Sequence, residues 1–67
     1  MKYRKEKLTC EHCGFTEEKI TMEEVEGEEG IREEYMTAFY CFNCQKPNDI
    51  ANMQWKGKRE VVKEVLK

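Results

Sequence analysis

Apolar positions along this chain come in short runs that alternate with polar ones and are broken by turn formers, the pattern of small antiparallel strands. Ile20 and Met22 alternate with polar neighbours ahead of Glu26-Gly27-Glu28-Glu29-Gly30, whose two glycines supply the positive φ values that a tight reversal needs. Beyond it, Tyr35-Met36-Thr37-Ala38-Phe39-Tyr40 is rich in strand formers. This predicts a long hairpin over residues 14–40, with Phe15, Ile20, Met22, Met36 and Phe39 partly buried. Phe39 and Tyr40 are adjacent, so only one of them can face the core. A strand over Tyr3 to Thr9 should precede the hairpin, and another, over Asp49 to Trp55, should follow a turn at Lys46-Pro47-Asn48-Asp49. In the tail, Val61, Val62, Val65 and Leu66 share one stripe at helical spacing, and Lys63 and Lys67 suit a helix C-terminus. A short helix over about residues 58–66 is therefore expected, packed on the sheet, although three valines also favour strand.

Two Cys-x-x-Cys clips, Cys10-Glu11-His12-Cys13 and Cys41-Phe42-Asn43-Cys44, flank the hairpin. Two residues between cysteines let one turn present both sulfurs to the same ion, and a soft thiolate shell selects zinc or iron over hard cations. Cys10, Cys13, Cys41 and Cys44 are thus the expected ligands of one structural Zn²⁺. Paired disulfides would need an oxidising compartment. The basic opening Met1 to Lys7 is followed by no apolar stretch, and no segment is long or apolar enough to span a membrane, so a reducing cytoplasm is expected. A thioredoxin-like redox pair needs a βαβ scaffold that 67 residues cannot supply twice.

Size makes the metal a folding requirement. A chain this short buries only about 60% of its unfolded surface, and here 39% of residues are charged and only 39% hydrophobic. A structural zinc contributes on the order of 10 to 16 kcal/mol, enough to offset ordering entropy that so thin a core cannot. The expectation is one domain over residues 1–67, largely unfolded without its metal.

Charge is segregated into three blocks. Residues 1–10 carry +3, residues 41–67 carry +3, and residues 11–40, with ten glutamates against Lys19 and Arg32, carry −8. Four thiolates on one Zn²⁺ add a further −2. So acidic a body argues against a generic nucleic-acid coat while leaving room for a local basic patch.

Catalysis has little to work with. The chain has no serine and a single histidine, His12, which lies inside the first clip where intervening residues normally face solvent. A complete Cys₄ shell leaves no open position for water or substrate, so an enzyme is not expected, nor a small-molecule substrate.

Cys10-x-x-Cys13-Gly14 followed by an aromatic strand ending in Tyr40-Cys41-x-x-Cys44 resembles the zinc-ribbon superfamily over most of the chain, in particular small free-standing ribbons of bacteriophages and Gram-positive bacteria. The resemblance implies a zinc ribbon of α+β class, with a three- to four-stranded antiparallel sheet and the short C-terminal helix. Ribbons serve as nucleic-acid binders, as docking modules on RNA polymerase and ribosomes, and as structural staples. Arg32-Glu33-Glu34-Tyr35-Met36-Thr37-Ala38-Phe39 is also similar to the C-terminal ribbon of the transcript-cleavage factor TFIIS and its archaeal relatives; this likeness implies a further, lower-ranked function, polymerase transcript cleavage, with Glu33 and Glu34 as an acidic pair at a hairpin tip that helps hold a catalytic Mg²⁺. That family has Asp-Glu before a proline, where this chain has Glu-Glu before Tyr35. Phe39 also stands one residue closer to Cys41 than its counterpart there.

Two functions from different classes follow. In the first, the acidic hairpin, through Glu26, Glu28, Glu29, Glu33 and Glu34, docks on a basic protein surface such as that of RNA polymerase or a nucleic-acid enzyme. In the second, Lys46, Lys56, Lys58, Arg59, Lys63 and Lys67 meet DNA or RNA phosphates while Tyr40, Phe42 or Trp55 stacks on a base. The first is preferred: a small regulatory adaptor near the transcription or nucleic-acid machinery.

Overall fold

Antiparallel pairing on both sides of one strand organises the chain. The computed structural model describes all residues 1–67. Its strands are β1 (Lys2–Thr9), β2 (Thr16–Gly27), β3 (Gly30–Tyr35), β4 (Phe39–Tyr40), β5 (Pro47–Asn48) and β6 (Lys58–Leu66). Four of them form a sheet in the order β3-β2-β1-β6, and β4 and β5 form a separate two-stranded ladder. The hairpin turns at Glu28-Glu29, with Gly27 opposite Gly30 and φ at Gly30 of 116°, a value that glycine alone adopts easily.

The fold is all-sheet, and the expected α+β class with a C-terminal helix is not what forms. Residues 58–66 are strand β6, paired with β1 from Lys2↔Leu66 to Thr9↔Lys58. Three β-branched valines accept the extended conformation readily, and β1 offers an open edge to pair with. Strand geometry also sets Arg59 beside Glu6, whose side chain is only 3% exposed on β1. Arg59 Nε donates to Glu6 Oε1 at 2.8 Å and Nη2 to Oε2 at 2.7 Å, while the Thr21 hydroxyl donates to Oε2. A buried carboxylate without such partners would cost several kcal/mol, on the order of 3 to 5.

A bulge lies on each side of β1. Opposite Arg4-Lys5, β2 carries Thr21 as an extra residue, and opposite Lys5-Glu6, β6 carries Val62 as another. The bulge in β2 turns both Thr21 and Met22 to the buried side and leaves Ile20, expected to share Met22's face, 41% exposed.

The core sits on one face of the sheet at the clip end. Leu8 from β1 packs with Phe39 and Ile50, and Met36 and Trp55 border them. Met22, Met36 and Phe39 are buried or half-buried as expected, and Tyr40 takes the outward side at 73% exposure; Phe15, at 39%, does not join them. Residues 49–55 form no strand. Asn52 N donates to the Asp49 carbonyl at 3.1 Å, Trp55 N to that of Asn52 at 3.0 Å, and Ala51 N to that of Thr37 at 3.2 Å, turns that fold Ile50 under Leu8. The expected turn at Lys46 to Asp49 instead contains β5, paired as Phe39↔Asn48 and Tyr40↔Pro47. Gly57 lets the chain return tightly to β1, since a Cβ there would fall 2.2 Å from Trp55 Cζ2 and 2.3 Å from the Thr9 carbonyl oxygen.

Candidate metal centre

Each clip is the tip of a hairpin, and the two are built alike. In the first, which joins β1 to β2, Gly14 N donates to the Cys10 carbonyl at 3.1 Å and Cys10 N to that of Phe15 at 2.9 Å. In the second, which joins β4 to β5, Gln45 N donates to the Cys41 carbonyl at 2.8 Å and Cys41 N to that of Lys46 at 3.0 Å. The residue after each clip has positive φ, 80° at Gly14 and 61° at Gln45, which reverses the chain behind the second cysteine. Identical local bonding aims both sulfurs of each clip at one point.

All four cysteines are free thiols, and their sulfurs lie within 4.8 Å of one another. Cys10 Sγ is 3.7 Å from Cys44 Sγ, and Cys13 Sγ is 3.5 Å from Cys41 Sγ. A tetrahedron with metal–sulfur bonds of about 2.3 Å places its sulfurs about 3.8 Å apart, whereas a disulfide would bring two of them to about 2.0 Å. The cluster therefore has the size of a site for one metal ion, shared between the clips. Cys10 and Cys41 are 3% and 1% exposed, while Cys13 and Cys44 are more open.

Amide donors surround the sulfurs. His12 N and Asn48 Nδ2 each lie 3.3 Å from Cys10 Sγ, and Asn43 Nδ2 lies 3.5 Å from Cys13 Sγ. Burial pushes the Cys10 thiol up, but Asn48, the backbone N–H groups of Cys13 and His12, and the Cys44 thiol outweigh it and bring it down to about 6. Cys13 is lowered by Asn43 and by the Phe15 N–H. The Lys46 N–H favours the Cys44 thiolate, but burial and the other three sulfurs push that thiol up to about 12. One thiolate forms readily, and the fourth must form against the other three. A divalent cation removes that opposition and lets all four sulfurs be thiolates together.

Asn48 links the centre to the core. It is fully buried, and its side-chain amide is satisfied on both sides: Oδ1 accepts from Glu11 N at 2.9 Å and Trp55 Nε1 at 3.0 Å, and Nδ2 faces Cys10 Sγ and the Lys46 carbonyl. Sequence reasoning placed Asn48 in a turn and missed this role. No pattern marks it, because its partners come from the first clip, the second clip and the Trp55 loop. Glu17 performs a smaller service, accepting from Phe42 N at 3.0 Å. His12 is exposed and outside the sulfur cluster, with Nε2 donating to the Pro47 carbonyl at 2.9 Å.

The remaining candidate residues separate into two regions. Glu26, Glu28, Glu29, Glu33 and Glu34 all lie exposed on the β2–β3 hairpin. Glu33 and Glu34 are not at its tip: they stand mid-strand opposite Glu24 and Glu23. Glu33 accepts from Tyr35 Oη at 2.8 Å and Lys2 Nζ at 3.4 Å, and both hold its carboxyl below the usual value. Glu34 is paired with Arg32 at 2.8 Å. Among the cations, Lys46, Lys56, Lys58 and Lys63 are exposed, whereas Arg59 is committed to Glu6 and reaches the Ile50 carbonyl at 3.5 Å. Trp55 is half-buried with its N–H on Asn48, while Tyr40 and Phe42 are 73% and 79% exposed. Phe42 lies tilted beside Phe15, their centroids 6.5 Å apart. No helix is long and apolar enough to cross a membrane. No protein-family model, curated protein or solved structure matches this chain.

Proposed function

We propose that the chain is a zinc ribbon in which Cys10, Cys13, Cys41 and Cys44 hold one structural Zn²⁺, and that it works as a non-enzymatic adaptor near the transcription or nucleic-acid machinery. Its acidic hairpin docks on a basic protein surface such as that of RNA polymerase. Four sulfurs in a volume that fits one tetrahedral ion, inside a small antiparallel-sheet protein, support the zinc-ribbon reading. Thiolate donors alone favour zinc, and a filled Cys₄ shell offers no position for a reacting water.

One observation carries the docking reading. The hairpin sets Glu23 against Glu34 and Glu24 against Glu33, like charges directly across the ladder, in a segment where β3 buries no residue. Such pairs are destabilising by up to about 1 kcal/mol each; Lys2 and Arg32 answer Glu33 and Glu34, but Glu23, Glu24, Glu26, Glu28 and Glu29 belong to no ion pair, so their charge is free for a partner. A basic partner would turn that repulsion into affinity and steer association. The second reading, DNA or RNA binding, draws on exposed Tyr40, Phe42 and Lys46. It is the weaker because Arg59 and Trp55 are engaged within the protein.

The test is a pull-down of zinc-loaded protein from a bacterial lysate, with and without nuclease, beside a variant carrying Glu24→Lys, Glu26→Lys, Glu28→Lys and Glu29→Lys. Protein partners that survive nuclease and are lost with the variant support docking. Partners that vanish with nuclease and persist with the variant favour nucleic acid. Partners indifferent to both treatments would sink both readings.

A further inference from the structure

Strand β6 is nine residues long, contains no proline and pairs only with β1, so its outer edge is a row of backbone groups free to pair again. Natural edges are commonly guarded by lysines, prolines or bulges, and β6 does carry Lys58, Lys63 and the bulge at Val62. Lysines alone would repel a second strand. Here they alternate with glutamates, and the order of the two signs is self-complementary.

The ladder with β1 fixes which β6 residues share a face. Arg59, Val61, Glu64 and Leu66 stand opposite Leu8, Glu6, Arg4 and Lys2 on the core side, and Lys58, Glu60, Lys63 and Val65 stand opposite Thr9, Lys7, Lys5 and Tyr3 on the open side. Directly opposed residues in an antiparallel pair must share a face. If a second β6 pairs about an axis at Val61, Arg59 meets Glu64, Glu60 meets Lys63, and Lys58 meets Val65. Every pair with two charges then has opposite signs. A shift by one same-face step brings Lys63 against Lys63 in one direction and Glu60 against Glu60 in the other. The bulge makes the favourable register possible, because without Val62 as an extra residue Arg59 and Glu64 would lie on opposite faces.

We propose that this chain forms a two-fold symmetric dimer by antiparallel pairing of β6 with the β6 of a second copy, centred on Val61, so that one eight-stranded sheet runs through both. The interface is isologous and closes on itself. Inside each copy Arg59 holds Glu6 and Arg4 holds Glu64, so the contact of Arg59 with Glu64 of the second copy joins these pairs into one network of alternating sign. The outer edge of β3 cannot pair with itself as well. A two-fold axis at Glu33 sets each Arg32 against one Glu34 but also sets Glu33 against Glu33. The hairpins stay free at the two far ends of the joined sheet.

Sedimentation equilibrium of the zinc-loaded full chain tests this, with Lys63→Glu and the exchange Glu60→Lys/Lys63→Glu as variants. Both side chains are exposed and neither belongs to an ion pair within the chain, so a far-UV spectrum matching the parent should show that each variant folds. The parent is expected to dimerise, Lys63→Glu to weaken the dimer about tenfold through two like-charge contacts, and the exchange to restore it. A parent that stays monomeric at millimolar concentration, a Lys63→Glu variant that dimerises as tightly as the parent, or an exchange that fails to rescue would each overturn the proposal. Open-ended oligomers would overturn it too, since they would mean β6 pairing with β3.

Discussion

Next to the clips, Leu8, Phe39 and Ile50 meet under a fully buried Asn48 and two buried cysteines; at the far end of the same sheet β3 buries nothing, with Ile31 64% and Tyr35 59% exposed. Yet both ends are regular antiparallel ladder. The difference lies in what holds each one. At the clip end, side chains from both clips, β1 and the Trp55 loop meet, and Asn48 joins Cys10 Sγ to Trp55 at the border of the core. At the hairpin end the ladder is sustained by its connection to β1, by a glycine turn and by exposed contacts of Lys2 and Tyr35 with Glu33 and of Arg32 with Glu34, against like-charged cross-strand pairs. One end holds the core and the sulfurs, and the other leaves its side chains to solvent.

Removing one ligand should break the comparison most completely. Cys41→Ser leaves a three-sulfur site in a chain whose core is three residues with two at its border. It should lose metal and fold together, read as metal stoichiometry and far-UV signal; a folded, zinc-replete variant would show that the sulfurs do not organise the clip end. Asn48→Ala comes next. It strips a bond from Cys10 Sγ and leaves the Glu11 and Trp55 N–H groups without their acceptor, so metal affinity in a competitive chelator titration should fall about 10- to 100-fold.

Glu6→Gln touches the sheet rather than the centre. Because Arg59 is 42% exposed while Glu6 is 3% exposed, the loss should be about 2 to 3 kcal/mol, below that for a fully buried pair. Bonding to Arg59, assisted by Thr21, holds the Glu6 carboxyl below its ordinary value of 4.5 despite burial. A lowered folded pKa contributes stability that is complete above that ordinary value and is lost as pH falls through the folded one. The parent should therefore lose stability on acidification below about pH 4.5 in a way that Glu6→Gln does not, once metal release is followed separately. Glu24→Lys should have the smallest effect. By relieving the contact with Glu33, it should raise thermal stability by up to about 1 kcal/mol. A loss of more than that would mean that the hairpin glutamates serve the fold after all.

Much of this division is legible in the chain. The Cys-x-x-Cys spacing marks the residues that meet, the Tyr3 to Thr9 strand forms, the turn falls between Gly27 and Gly30 although only Gly30 takes the positive φ expected of both, and Met22, Met36 and Phe39 pack as expected. What periodicity missed is set by pairing. A stripe at Val61, Val62, Val65 and Leu66 reads as helix in isolation, but in a strand the same four residues are spread over both faces about a bulge. A period of two puts Ile20 on the face of Met22, and the bulge at Thr21 interrupts that period. Glu6, Asn48 and Ile50 are buried because of partners distant in sequence, and a charged or turn-forming residue gives no local sign of that.

The central claim is that metal at the four sulfurs holds the clip end, and through it the whole sheet. Backbone amide hydrogen exchange of the zinc-loaded protein, followed as a strong chelator withdraws the metal, tests it most directly. Protection at Cys10, Cys41 and Ala51, whose N–H groups donate to the Phe15, Lys46 and Thr37 carbonyls, should vanish in step with metal release, and protection along β1 with it, leaving a largely unfolded chain. A chelated protein that keeps β1 and the Leu8 core protected would contradict the claim and make the sheet, not the metal, the source of the fold.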